Sequence, residues 1–347
     1  MNHADRTHPL RVAASVSLVA ALAATSSSAR PVAPPSGLFA PNSIWNRPTS
    51  ASAPVDPSSA RLVGAVVREV RQEQRAKRGP WINTRQYGVP ILSVGAHQPV
   101  VRVRLSAGAP PTLQRAFAAV PLPSWATPSA GSDGYLVVWQ PSRDRLWEFW
   151  QLRHDASHRW LASWGGAMEH VSTNIGVYGP RAWPGATTAW GVTASSFPLV
   201  AGVIRIDELE RGQIDHALAL SLPTVRTGTF AAPAERTDGD DPSPTALPEG
   251  ARLRLDPHLN LNAIRMPRLT RLMAEAAQRY GIIVRDYGAN IAFSAQDPEP
   301  GLTNPFGGAS GFFGGQYPNE LLRNFPWSHL QVLRMQLHSG SSRYPGS

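Results

Sequence analysis

The 347-residue sequence predicts a mainly β fold, either a β-sandwich or a β-rich α+β core with three or four helices. Three observations predict it. Short runs in which apolar and polar residues alternate recur near residues 101, 135, 146, 160, 215 and 252. The loops between them vary in length, unlike the regular strand–helix alternation that builds a barrel or a doubly wound sheet. Hydrophobic residues make up 42% of the chain against 16% charged, which supplies a sizeable core and excludes wholesale disorder.

Residues 1–29 have the layout of a signal peptide. A polar stretch with Arg6 and Arg11 precedes an apolar run over 12–24, and Ser27, Ser28 and Ala29 give a peptidase its small residues. The run is shorter than the about 20 residues that span a bilayer, so a secreted protein without a membrane anchor after processing is expected. Residues 30–39 read as a tether, 40–297 as one β-rich domain, and 298–347, rich in Gly and Pro, as an irregular tail draped on the surface.

Within the domain, Asp56-Pro57 opens a helix, with Leu62, Val63, Val66, Val67 and Val70 at helical spacing and Gly79 as its stop. Val101, Val103 and Leu105 alternate with Arg102 and Arg104, predicting a half-buried strand with a solvated arginine face, and 112–120 follows as a short helix. Residues 135–140, 146–152 and 160–164 form a predicted three-strand meander. Strands are expected at 215–222 and at 252–255, where Arg252 and Arg254 again read as a solvated stripe. Between them, the loop 227–250 holds Asp238, Gly239, Asp240 and Asp241. It is too long for an idle connection, so it is a lid, a binding loop or a linker. Pro267 opens a last helix with Leu269, Leu272, Met273 and Ala276 on one side, and 282–284 runs as a strand into Asp286-Tyr287-Gly288.

Several chemistries are excluded. With no cysteine there are no disulfides, thiol nucleophiles or zinc knuckles, and Lys77 as the sole lysine rules out a P-loop. No zinc-protease or serine-hydrolase motif occurs. His154 and His158 fall in a polar loop, so neither a metal nor another cofactor is expected. The net charge of +9 comes almost wholly from arginine, a bias that coding alone can produce, and nucleic acid is not an expected partner.

Gly166-Ala167 with Thr173-Asn174, 198–208 (PLVAGVIRIDE), 212–218 (GQIDHAL) and 280–288 (YGIIVRDYG) resemble a group of secreted bacterial and fungal proteins that carries no assigned activity. Where that group has Asp-Asn-Gly, this chain has Asp286-Tyr287-Gly288. The resemblance implies one shared fold over about 40–297 and a short polar set: Asn174, Arg205, Glu208, His216 and Asp286.

Seven of the eleven tryptophans lie between Trp139 and Trp190. Such rings either fill a core or stack on sugars. Around residue 148, Trp147 and Phe149 point one way while Leu146, Glu148, Trp150 and Leu152 point the other, so one set is expected in a groove, with Trp150, Trp164 and Trp190 as substrate-binding candidates beside Asn174. Glu148, on an otherwise apolar face, is either a salt-bridge partner or a general acid with a raised pKa. Glu169 and His170 rank below it. His216 is either a core histidine or a base oriented by Asp286, and Arg205 either pairs with Glu208 or neutralises an acidic substrate. Asp207 and Glu210 match a helix-capping box.

Three functions follow. A polysaccharide-cleaving glycoside hydrolase would use Glu148 and Asp286 as its paired carboxylates. A lyase on uronic-acid polymers would use His216 as base with Arg205 or Asn174 on the substrate carboxylate. A non-catalytic protein would bind polysaccharide or cell-wall glycan through the tryptophans alone.

Overall fold

The computed structural model describes residues 38–106, 108–298 and 302–340. The expected signal peptide, 1–29, and most of the expected tether, 30–39, lie outside the described residues. Leu38 and Phe39, at the tether's end, are buried in the core rather than free of it.

Strands dominate, as expected, and gather into two large mixed sheets and two small ones. The five-stranded sheet runs in the order Gln296–Asp297, Val89–Ser93, Leu136–Gln140, Arg145–Trp150, Trp164–Glu169. Its last three strands are antiparallel, with Leu146 opposite Trp139 and Glu148 opposite Gly166. Trp160–Ala162, expected as the meander's third strand, pairs instead with Arg153–His154 and Arg104–Leu105 in a small sheet. The arginine alternation holds there: Arg102 and Arg104 are exposed while Val103 and Leu105 are buried.

Both faces of the Arg145–Trp150 strand are covered, which removes the groove that alternation predicts. On one face Trp147 donates its indole N–H to the Ala116 carbonyl (3.0 Å), and Phe149 meets Phe117 edge to face with centroids 5.3 Å apart. On the other, the segment around Tyr178 and Trp190 closes over Glu148. Gly165 and Gly166 allow that double cover, because a Cβ on either would come within 2.6 Å of the Phe117 ring and 2.7 Å of the Tyr178 ring respectively.

The six-stranded sheet runs Trp81–Asn83, Ala292–Ser294, Leu218–Leu222, Ile282–Tyr287, Arg252–Leu255, Leu330–Val332. Helices Ser59–Ala76 and Arg268–Arg279 bury their apolar stripes in the same core, through Leu62, Val66 and Val70 and through Leu269 and Met273. Helix cover on a sheet is the α+β arm of the expected fold class.

Two expectations fail here. The tail is not draped on the surface: Phe306, Leu322, Phe325, Trp327 and Val332 are core residues, and Leu330–Val332 pairs antiparallel with Arg252–Leu255. Its elements are three or four residues long, too short to register as periodicity among glycines and prolines. Nor is Arg252/Arg254 a solvated stripe. The segment 47–54 crosses it, leaving Arg254 only 3% exposed, with its guanidinium on the Ser50 and Ala53 carbonyls.

Candidate functional site

The parallel pair Leu218–Leu222 and Ile282–Tyr287 has a different polar cluster at each end. At the entry, His216 Nε2 lies 3.0 Å from Glu208 Oε2 and Nδ1 lies 2.9 Å from the Ala217 carbonyl. Arg205 donates to the other Glu208 oxygen at 2.6 Å. All three side chains are buried. Burial raises the Glu208 carboxyl, but His216 and Arg205 outweigh it and hold Glu208 below the usual carboxylate range. Both imidazole nitrogens face acceptor oxygens, so neither is free to take a proton from a substrate. Glu208, which also accepts the Arg205 backbone N–H, caps helix Ile206–Arg211 in place of the expected Asp207/Glu210 box.

The dyad of His216 with Asp286 does not form. Asp286 is in register with Ser221, five residues beyond His216, which at ~3.3 Å per residue puts the two about 16 Å apart. Arg205, 6% exposed, is engaged by Glu208 and Asp207.

At the exit of the pair, Asp286 meets carboxylates that were not singled out from sequence. One oxygen each of Asp238, Glu249 and Asp286 lie within 4.8 Å of one another. A register shift between Val284 and Asp286 creates this point, since a bulge re-aims side chains at a strand end. It turns Arg285 inward, where the guanidinium donates to the Leu199 carbonyl (2.7 Å), the Ala201 carbonyl (3.0 Å) and Ser294 Oγ (2.6 Å). Asp286 Oδ1 accepts the Ala194 N–H at 3.1 Å. Glu249 ends strand Leu247–Glu249 and is fully buried; its Oε2 accepts the Asp238 N–H at 3.2 Å, while Oε1 has no hydrogen-bond partner among the described residues. Asp238 is exposed.

Like charges this close cannot all ionise near neutrality. Burial first, then the Asp238 charge, push Asp286 up to about 7, against the opposing pull of Arg285. Glu249 is driven well above its usual value by burial and by Asp286 and Asp238, and burial raises Asp238 too. The cluster therefore holds exchangeable protons around pH 7. Its oxygen-only donors also suit a hard cation such as Ca²⁺, although three carboxylates leave most of the about 6–8 positions of such an ion to other ligands.

Asp286 opens onto a cavity of about 650 Å³ with an aromatic lining of Trp81, Tyr87, Tyr135 and Tyr287. Asp133 and Asn290 also line it. Tyr287 is 40% exposed. Tyr135 is raised well above 10 by burial and by the Asp286 and Asp133 charges, so its hydroxyl stays a hydrogen-bond donor.

The other expected site residues lie elsewhere. Glu148 is fully buried and accepts the Val192 N–H at 2.7 Å and the Leu199 N–H at 2.6 Å. Burial lifts it to about 7 despite those bonds, yet it has no exposed surface for a substrate. Trp164 and Trp190 are core residues whose indole N–H groups bond the Gly191 and Ala167 carbonyls. Trp150 is half-buried and does not line the aromatic cavity; its N–H lies 3.4 Å from Oδ1 of Asp133, which does. Asn174 shapes its own turn by accepting the Gly176 and Val177 N–H groups. Glu169 pairs with Arg145.

Of the expected site residues, Asp286 lines this cavity, and it lies close to Asp238 and Glu249. Thr237-Asp238-Gly239, within a loop too long to be idle, was the signal that could have found them. No protein-family model, no curated protein and no solved structure matches this chain.

Proposed function

We propose that this chain is a secreted polysaccharide-active enzyme, a glycoside hydrolase whose paired carboxylates are Asp286 and Asp238. The observation that carries this reading is the pairing of Asp286, at about 7, with a second carboxylate within 4.8 Å beside an aromatic-lined cavity. A general acid needs a pKa near the working pH, and flat aromatic faces suit sugar rings. Asp286 donates the proton to the leaving oxygen, and exposed Asp238 attacks the sugar. Glu249, whose carboxyl burial drives well above its usual value, lies within the same cluster. Carboxyl groups about 5 Å apart suit retention of configuration, because inversion needs about 6.5–9.5 Å to admit a water. The lyase alternative loses its base, since both nitrogens of His216 are engaged. Secretion rests on the leader-like residues 1–29; among the described residues no helix is long and apolar enough to cross a membrane.

A polysaccharide panel assayed for reducing ends and for the absorbance of unsaturated uronate tests the reading. Reducing ends without that absorbance are expected. Asp286→Asn and Asp238→Asn should each lower the rate about 10²–10⁴-fold with the fold intact by circular dichroism. The acid must be protonated to act, so the rate should fall as pH rises through about 7. Full activity of Asp286→Asn would overturn the assignment. N-terminal sequencing of exported protein should begin near Arg30, and an intact Met1 would remove the secretion reading.

A further inference from the structure

A second cavity, of about 700 Å³, shares no lining residue with the acid cleft. Arg47, Arg252 and Arg334 line it, and none of its lining residues is acidic. Arg252 donates only to neutral carbonyls, that of Tyr280 at 3.0 Å through Nε and that of Arg47 at 3.3 Å. Among the described residues none of the three forms an ion pair. Arg47 and Arg334 are exposed at the rim, and Arg252 is half-buried in the wall. Burial and the Arg47 charge pull the Arg252 guanidinium down to about 10, so it stays positive at neutral pH.

Three like charges around one hollow repel each other, and no lining carboxylate offsets them; a bound anion does. Guanidinium forks match carboxylate oxygens in bidentate fashion. The volume falls in the about 300–1,000 Å³ range of small-molecule sites. Between the charges stand the hydroxyls of Thr49, which donates to the Tyr280 carbonyl and keeps its lone pairs, and of Ser50 and Ser52, which bond each other and leave one O–H to donate. Ile44 and Pro48 add apolar surface, completing the mixture that a sugar ring presents in return. We propose that this cavity binds a carboxylated sugar unit of an acidic polysaccharide, held by Arg47, Arg252 and Arg334 away from the acid cleft. That the ligand is a sugar rests on the polysaccharide reading above; that it is anionic rests on the arginines alone.

Calorimetric titration of the full chain with tetragalacturonate, with neutral maltotetraose and with inorganic sulfate tests this. Tetragalacturonate should bind at least about ten-fold tighter than maltotetraose, and Arg47→Gln/Arg334→Gln should weaken it by about ten-fold or more, as loss of charged hydrogen bonds implies. Both substitutions are at exposed positions, so the thermal melt should not move. No binding of tetragalacturonate, or binding untouched by the double variant, overturns the proposal. Sulfate binding as tightly as the tetramer overturns the sugar identity and leaves a simple anion pocket. The two readings separate cleanly, because binding without cleavage of any glycan defeats the hydrolase and spares this site, whereas cleavage without anion binding does the reverse.

Discussion

Glu148 and Asp286 are both carboxyls lifted to about 7 by burial, and only their access separates a structural acid from a reactive one. Glu148 clasps two backbone N–H groups of the 192–199 segment in a place closed to solvent. Asp286 spends one oxygen on Ala194 and opens onto a cavity. Glu148→Gln should therefore act on stability and not on chemistry: its amide nitrogen cannot accept, and one buried N–H left without an acceptor costs about 1–3 kcal/mol. A lowered denaturation midpoint with unchanged turnover is expected, and an unchanged midpoint would refute the clasp. The oddity of Glu148 was legible, since a charge on an apolar strand face is rare. Its role was not, because the segment that seals it lies more than forty residues away and has no period of its own.

At the scale of elements, the helix Ser59–Ala76 shows both what spacing reveals and what it omits. Its apolar stripe follows from Leu62, Val63, Val66 and Val70, and its end follows from the left-handed Lys77 before Gly79. Glu73 continues that stripe, three residues after Val70 and seven after Val66, but spacing does not show what a carboxylate does there: it is 1% exposed and accepts the Ile291 N–H at 2.8 Å, tying the helix to the loop behind the cleft. Burial raises it from 4.5 to about 7. The folded chain then holds this proton more tightly than the unfolded one. The stability it brings is full below about 4.5 and is lost as pH rises through about 7. Glu73→Gln keeps the accepting oxygen and removes the charge, so thermal midpoints measured near pH 5 and pH 8 should lie closer together in the variant. An identical gap would show that Glu73 does not titrate in that range. Pairing was less legible than existence. The period of two located fewer than half of the seventeen strands among the described residues, and it could not tell that 160–162 leaves the meander, because sheet partners are chosen by register and cover.

For the whole molecule, composition and strand spacing gave the mainly β class, whereas the contribution of residues 302–340 was hidden by their glycines and prolines. The site divided the same way. Asp286 was legible as a polar residue leaving a strand before a glycine, but Asp238 and Glu249 reach it only through a bulge and a folded loop. A chain ending at residue 298 should lose the Leu330–Val332 strand together with Phe325 and Trp327, leaving Arg252–Leu255 as a bare edge. Aggregation and a lost cooperative melt are expected on expression, and a soluble protein with the full-length melt would make the tail dispensable.

The Leu330–Val332 strand also sets a schedule. Val332 receives the Asp56 N–H at 2.8 Å and offers its own to Ser59 at 2.8 Å, and Val55 bridges Leu333, so the two extremities of the described chain are stitched to each other. Residue 55 is synthesised 278 residues before its partner at 333, a wait of roughly 14–56 s at about 5–20 residues per second. Such distant pairing also makes closure slow once both ends exist. During that interval the nascent polypeptide is unfinished and unlocked, so the fold can close only after nearly the whole chain exists.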